Sequence, residues 1–192
     1  KYSRFLLSVR GNRVDEASSR MLKLDGNLQA WGWAMGTASW VEPTSYAVLA
    51  LKVNGQAAHE RVKIGEQFLI DRACYKGGWN YGNKEVLDVE LEAMPTVTAY
   101  ALLALQDLNH TQPIIKKSLD YLESELAARQ STLALSLGAL CFDIYSRPFE
   151  KLVGGLLARQ EADGSWRNNY HLTALAALAL ESASGGRNVF KL

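Results

Sequence analysis

Apolar positions along the chain fall into two alternating kinds of segment. In the striped kind, Val14, Ala17, Met21 and Leu24 recur at helical spacing, with Asp15, Glu16, Arg20 and Lys23 between them. Val62, Ile64, Phe68 and Leu69 do the same, as do Phe149, Leu152, Val153 and Leu156. Ile115, Leu119, Leu122 and Leu126 fall at i, i+4, i+7 and i+11. Such stripes predict amphipathic helices with one buried side. The second kind is apolar nearly all round: residues 46–51, 98–105, 133–142 and 171–180. A helix without a polar face has to be covered on most sides. The alternation predicts outer, one-faced helices paired with inner, enclosed ones.

The punctuation agrees. Glu42-Pro43-Thr44 places proline and an acid in the first turn of an inner helix, where a missing N–H is harmless and negative charge is favoured. Thr111 with Pro113, and Ser146 with Pro148, open two outer helices; Asp25-Gly26, Asn54-Gly55 and Ser184-Gly185-Gly186 close others. Residues 1–12 read as the tail of a further apolar helix stopping at Gly11-Asn12, and another inner helix ends near Leu108-Asn109. Three inner helices follow a glycine–tryptophan turn: Trp31-Gly32-Trp33, Gly77-Gly78-Trp79-Asn80-Tyr81-Gly82 and Asp163-Gly164-Ser165-Trp166. The helix over 133–142 has lost its turn. Aligned on Ala50, Ala104, Ala139 and Ala179, the copies stand about 35 to 54 residues apart, the spacing of a helical-hairpin repeat. The expectation is one all-α domain over residues 1–192, an arc or ring of hairpins.

Composition narrows the function classes. Hydrophobic residues at 48% against 21% charged argue for a packed core and against disorder. A net charge of +1 without a basic run removes nucleic acid as a partner. Cys74 and Cys141 form neither a disulfide framework nor a CxxC pair and read as free thiols. No apolar run reaches the roughly 20 residues of a membrane span. The Phe5-Leu6-Leu7 patch near the start is too brief for a signal-peptide core, so cytoplasm is the default expectation.

Gln160-Glu161-Ala162-Asp163-Gly164-Ser165-Trp166 resembles the Gln-x-x-Asp-Gly-x-Trp half of the repeated Gln/Trp motif of squalene and oxidosqualene cyclases. The stretches from Trp40 to Leu51 and from Gly77 to Gly82 are similar to the same repeat in bacterial relatives of the cyclases and of protein prenyltransferase β subunits. The resemblance spans about Val14 to Leu180 and implies an α/α toroid, or part of one, around an apolar cavity. The family closes six hairpins into a ring; four are readable here, with half a unit before them. It therefore also implies a missing remainder or a homo-oligomer that completes the ring. An apolar small molecule or lipid is the implied ligand, and no cofactor is identified.

The implied chemistry is incomplete. Class II cyclases carry Asp-x-Asp-Asp directly before Thr-Ala of an inner helix, whereas this chain reads Met94-Pro95-Thr96-Val97-Thr98-Ala99. Glu42, two residues before Thr44, and His171, two residues before Thr173, are the candidate catalytic groups. Glu42 serves either as a helix cap or, facing an apolar cavity, as a general acid. His171 serves either as a hydrogen-bonding partner of a neighbouring loop or as the counterpart of the prenyltransferase Tyr-His-Thr. Cys141-Phe142-Asp143 reverses the prenyltransferases' zinc-binding order, so no metal site is expected. Trp33, Trp40, Tyr46, Trp79, Tyr81 and Tyr100 are candidate cavity-lining residues; the competing role for the turn tryptophans is packing between hairpins. Asp88, Glu90 and Glu92 read as a solvated acidic loop, or as oxygen ligands for a divalent ion bridging to a diphosphate.

Overall fold

The computed structural model describes residues 2–108, 112–128 and 131–192; Lys1, Asn109 and Thr111, which the sequence places at helix ends, lie outside them. The chain is mostly helical. Its helices are α1 (Tyr2–Ser8), α2 (Glu16–Met21), α3 (Val41–Val53), α4 (Glu60–Asp71), α5 (Pro95–Ala104), α6 (Pro113–Ala128), α7 (Thr132–Ile144), α8 (Glu150–Leu157) and α9 (Tyr170–Ala183). A short 3-10 turn, Gln106–Leu108, follows α5. Two short strands, β1 (Glu85–Val86) and β2 (Val89–Glu90), form an antiparallel hairpin in the acidic loop, where no strand is expected from the sequence.

The all-round apolar helices pack side by side in chain order: α3 on α5, α5 on α7, α7 on α9. The striped helices lie against them, α4 on α3, α6 on both α5 and α7, α8 on both α7 and α9. Pattern explains placement. In α5 every residue from Val97 to Ala104 is buried, whereas in α6 only the stripe of Ile115, Ser118, Leu119, Leu122 and Leu126 is. The row has two ends, α3 and α9.

One expectation is corrected. The first outer helix is not the stripe from Val14 to Leu24. That region forms only the six-residue α2, with no buried residue, because its flanks fold back: Val14 N–H donates to the Gly26 carbonyl and Leu24 N–H to that of Ser19. The outer role falls to α1, which packs on α3.

An ion cluster around a buried lysine joins the last turn of α3 to the middle of α4 and to the 3-10 turn after α5. The Lys52 side chain is fully buried, and its Nζ donates to the Ala104 carbonyl at 2.8 Å and to Asp107 Oδ1. Glu66 Oε1 stands 2.8 Å away, paired by charge but off the ammonium's hydrogen-bonding directions. Lys63 holds the other Glu66 oxygen at 2.9 Å. Among the described residues no helix is long and apolar enough to cross a membrane.

Candidate functional site

An apolar groove of about 440 Å³ opens at the α3 end of the row. Phe5, Leu6 and Val9 form one wall, the loop of residues 31–35 the second, and Pro43, Tyr46, Ala47 and Ala50 of α3 the third.

Trp31 anchors it. Its indole N–H donates to the Leu6 carbonyl at 2.9 Å, and its backbone N–H donates to Thr44 Oγ1 at 3.2 Å. Gly65 of α4 lets the ring in: a Cβ there would lie 2.8 Å from Trp31 Cζ3 and 2.5 Å from Val48 Cγ2. The Arg61 guanidinium covers the ring at 4.3 Å and donates to the carbonyls of Gln29, Val9 and Ala30 at 2.6, 2.9 and 3.2 Å. Burial depresses the Arg61 pKa to about 10, and the cation–π contact with its carbonyl partners compensates the buried charge. No local sequence signal marks Arg61 for this work, since its partners lie about thirty or more residues upstream.

From Trp31 the chain carries Trp33 and Met35 to the surface, 59% and 79% exposed. The Trp33 ring meets Tyr46 edge-on, centroids 6.3 Å apart at 72°, and Tyr46 meets Tyr100 of α5 at 4.7 Å and 79°. Tyr46 Oη donates to Glu42 Oε1 at 2.5 Å, one helical turn back. Burial, then the Glu42 carboxylate, raises the Tyr46 hydroxyl far above the ordinary tyrosine range. Trp33, Tyr46, Tyr100 and Glu42 are thus one contiguous group.

The remaining candidates stand elsewhere. Trp40 and Tyr81 flank the start of α3, both partly exposed; Trp40 N–H donates to the Trp31 carbonyl at 2.9 Å, and the Tyr81 carbonyl accepts from Val41 N–H at 3.0 Å. Trp79 is wholly buried, its indole N–H donating to the Leu69 carbonyl at 2.6 Å, so it packs between helices and lines no open surface. His171 is exposed in the first turn of α9, at the end of the row opposite to Glu42. The two candidate catalytic groups are therefore not brought together.

In the acidic loop Asp88 pairs with Lys23 at 2.7 Å, and Glu90 lies 3.8 Å from Lys76. Among the described residues no three His, Cys, Asp or Glu side chains are grouped to hold an ion. Cys74 and Cys141 are buried free thiols, and burial raises both pKa values. No protein-family model matches the chain, and no curated protein matches it.

Proposed function

We propose that this chain handles an isoprenoid or similar lipid in the groove between α1, the 31–35 loop and α3, as a complete or partial α/α toroid of the cyclase and prenyltransferase class. The observation that carries the reading is the groove wall itself: exposed Trp33 and Met35 beside Phe5 and Tyr46 offer apolar surface that water solvates poorly. Each methylene moved from water to that surface contributes about 0.8 kcal/mol, so a ten-carbon chain gains several kcal/mol. Glu42 is engaged by Tyr46, and His171 is remote. Both facts favour a binding role over proton-transfer chemistry shared by those two groups, and no reaction is assigned.

Titration of the protein with farnesol, read by tryptophan fluorescence, tests this. Saturable quenching or a blue shift is expected, lost in Trp33→Ala and in Ala50→Trp, which fills the groove. A response equal in all three proteins, or none in any, removes the reading.

A further inference from the structure

The segment after α9 turns back across the ends of the inner helices. Residues 184–187 are all exposed, with Gly185 at φ 88°, and Asn188 then re-enters the protein at 4% exposure. The Asn188 amide is fully used. Its Nδ2 donates to the Leu140 carbonyl at 2.9 Å and to Asp143 Oδ2 at 2.8 Å, and its Oδ1 accepts from Phe190 N–H at 3.1 Å. The Ser182 hydroxyl of α9 donates to the same Asp143 oxygen at 2.8 Å. One carboxylate in the last turn of α7 therefore holds both α9 and the segment that follows it.

The far part of the segment is gripped from the end of α5. Gln106, in the 3-10 turn, donates through Nε2 to the Phe190 carbonyl at 2.9 Å and to the Leu103 carbonyl at 2.7 Å. Its Oε1 accepts from Leu192 N–H at 3.0 Å. Phe190 is half-buried and packs against the core. Beside Gln106, Asp107 pairs with Lys52 of α3, so the same turn ties the segment to the opposite part of the row. Asn188 and Phe190 are the seated residues; Arg187, Val189, Lys191 and Leu192 are exposed. A piece held by a few hydrogen bonds and little apolar area opens on its own more readily than a core helix.

We propose that residues 188–192 are a hinged strap that latches α9 to the ends of α7 and α5. Seated, the strap holds the last helix of the row closed; lifted at residues 184–187, it lets α9 part from α7 while α3 to α6 stay folded. Cys141 reports the event. It lies on α7 between the anchors Leu140 and Asp143 and is wholly buried. The other buried free thiol, Cys74, belongs to the turn after α4. The strap and its anchors share no residue with the apolar groove at α3, so the latch stands apart from the lipid-binding reading.

Labelling of the two thiols by iodoacetamide under native conditions, resolved by peptide mass spectrometry, tests the proposal on the full chain. Where reclosing outruns labelling, each rate follows the population of the open form. Asn188→Ala removes three hydrogen bonds and is expected to speed labelling of Cys141 about tenfold or more, with Cys74 unchanged. Gln106→Ala loosens the strap from its other anchor and is expected to speed Cys141 about threefold or more, again without Cys74. Circular dichroism checks that both variants are folded. An unchanged Cys141 rate in either variant, or equal acceleration of the two thiols, overturns the proposal. So does an unfolded spectrum in either, which would make the segment part of the core and not a strap.

Discussion

Trp79 and Thr98 hold each other through one hydroxyl. Trp79 N–H donates to Thr98 Oγ1 at 2.9 Å, and that hydroxyl donates back to the Trp79 carbonyl at 3.3 Å. Trp31 and Thr44 repeat the exchange at 3.2 Å in both directions, and Trp166 N–H reaches Thr173 Oγ1 at 3.1 Å. In each case a turn tryptophan is tied to the first turns of the inner helix that follows it. Thr98→Val keeps the shape and removes the hydroxyl, leaving a buried Trp79 N–H without its partner. The expected cost is about 1–3 kcal/mol in urea unfolding, a Tm drop of several degrees. A variant as stable as the parent would show that the tie is incidental.

The indole ring adds a second tie, and here the tryptophans part company. Trp79 is fully buried, and Gly78 before it (φ 78°) has no room for a side chain, since a Cβ would lie 2.7 Å from both Ala93 Cβ and Tyr121 Cδ1. Trp79→Ala is expected to cost about 3–5 kcal/mol. Trp33, by contrast, touches Tyr46 edge-on from a mostly exposed position, and Trp33→Ala is expected to cost about 1 kcal/mol or less. Paired thermal melts check the contrast, and a large loss in Trp33→Ala would mark it as a packing residue.

These pairs show what was legible in the sequence. The glycine–tryptophan turn recurs before three inner helices and the two helix types are separated by their stripes alone, but the tryptophan–threonine tie is not legible, because 13, 19 and 7 residues separate its partners. The assignment of the first outer helix went astray for a physical reason. Trp79 and Trp166 donate to carbonyls ten residues back, but Trp31 reaches Leu6, twenty-five residues back, across the inserted α2. The hairpin was hidden because Leu87-Asp88 carries no turn signature. Glu42 and His171 were readable as first-turn residues, but whether they meet depends on how the row curves, and no local pattern encodes that.

The buried Lys52 cluster carries a further expectation. Lys52→Met removes the ammonium from Glu66, the Ala104 carbonyl and Asp107, leaving partly exposed Lys63 as the remaining cation on Glu66. Breaking one side of a buried pair costs about 3–5 kcal/mol, whereas replacing both sides with apolar groups is often near neutral. Lys52→Met is therefore expected to lose about 3 kcal/mol, with Lys63 softening the effect, and Lys52→Met with Glu66→Leu to recover much of that loss. Urea midpoints of the three proteins decide it, and a double variant weaker than the single one would sink the idea.

Alkaline pH should report the Tyr46 environment. Burial raises the hydroxyl pKa of Tyr46, Tyr100 and Tyr145, and the Glu85 hydrogen bond raises that of Tyr75. Each is raised above its unfolded value, near 10, so its contribution to stability is fully present below about pH 10 and is lost as pH climbs beyond it. Tyrosinate formation at Tyr46, Tyr75, Tyr100 and Tyr145 is expected to come late and together with unfolding. In Tyr46→Phe the late stage should shrink. An absorbance rise near pH 10 that Tyr46→Phe removes, with the fold retained, would contradict the assignment.

The turn at Leu87 offers a gain in stability. A γ-branched side chain at φ 51° crowds its own backbone, while asparagine tolerates that region, and Leu87 is 68% exposed, so little packing is lost by exchange. Asp88 stays, keeping its ion pair with Lys23. Leu87→Asn is expected to raise stability by about 0.5–1 kcal/mol, read as an upward shift of the urea midpoint with an unchanged m-value. Leu87→Pro, locked near φ −65°, is expected to do the reverse and open the hairpin. If asparagine instead lowers the midpoint, Leu87 is held by packing that its exposure does not reveal, and the strain at this turn is smaller than its φ implies.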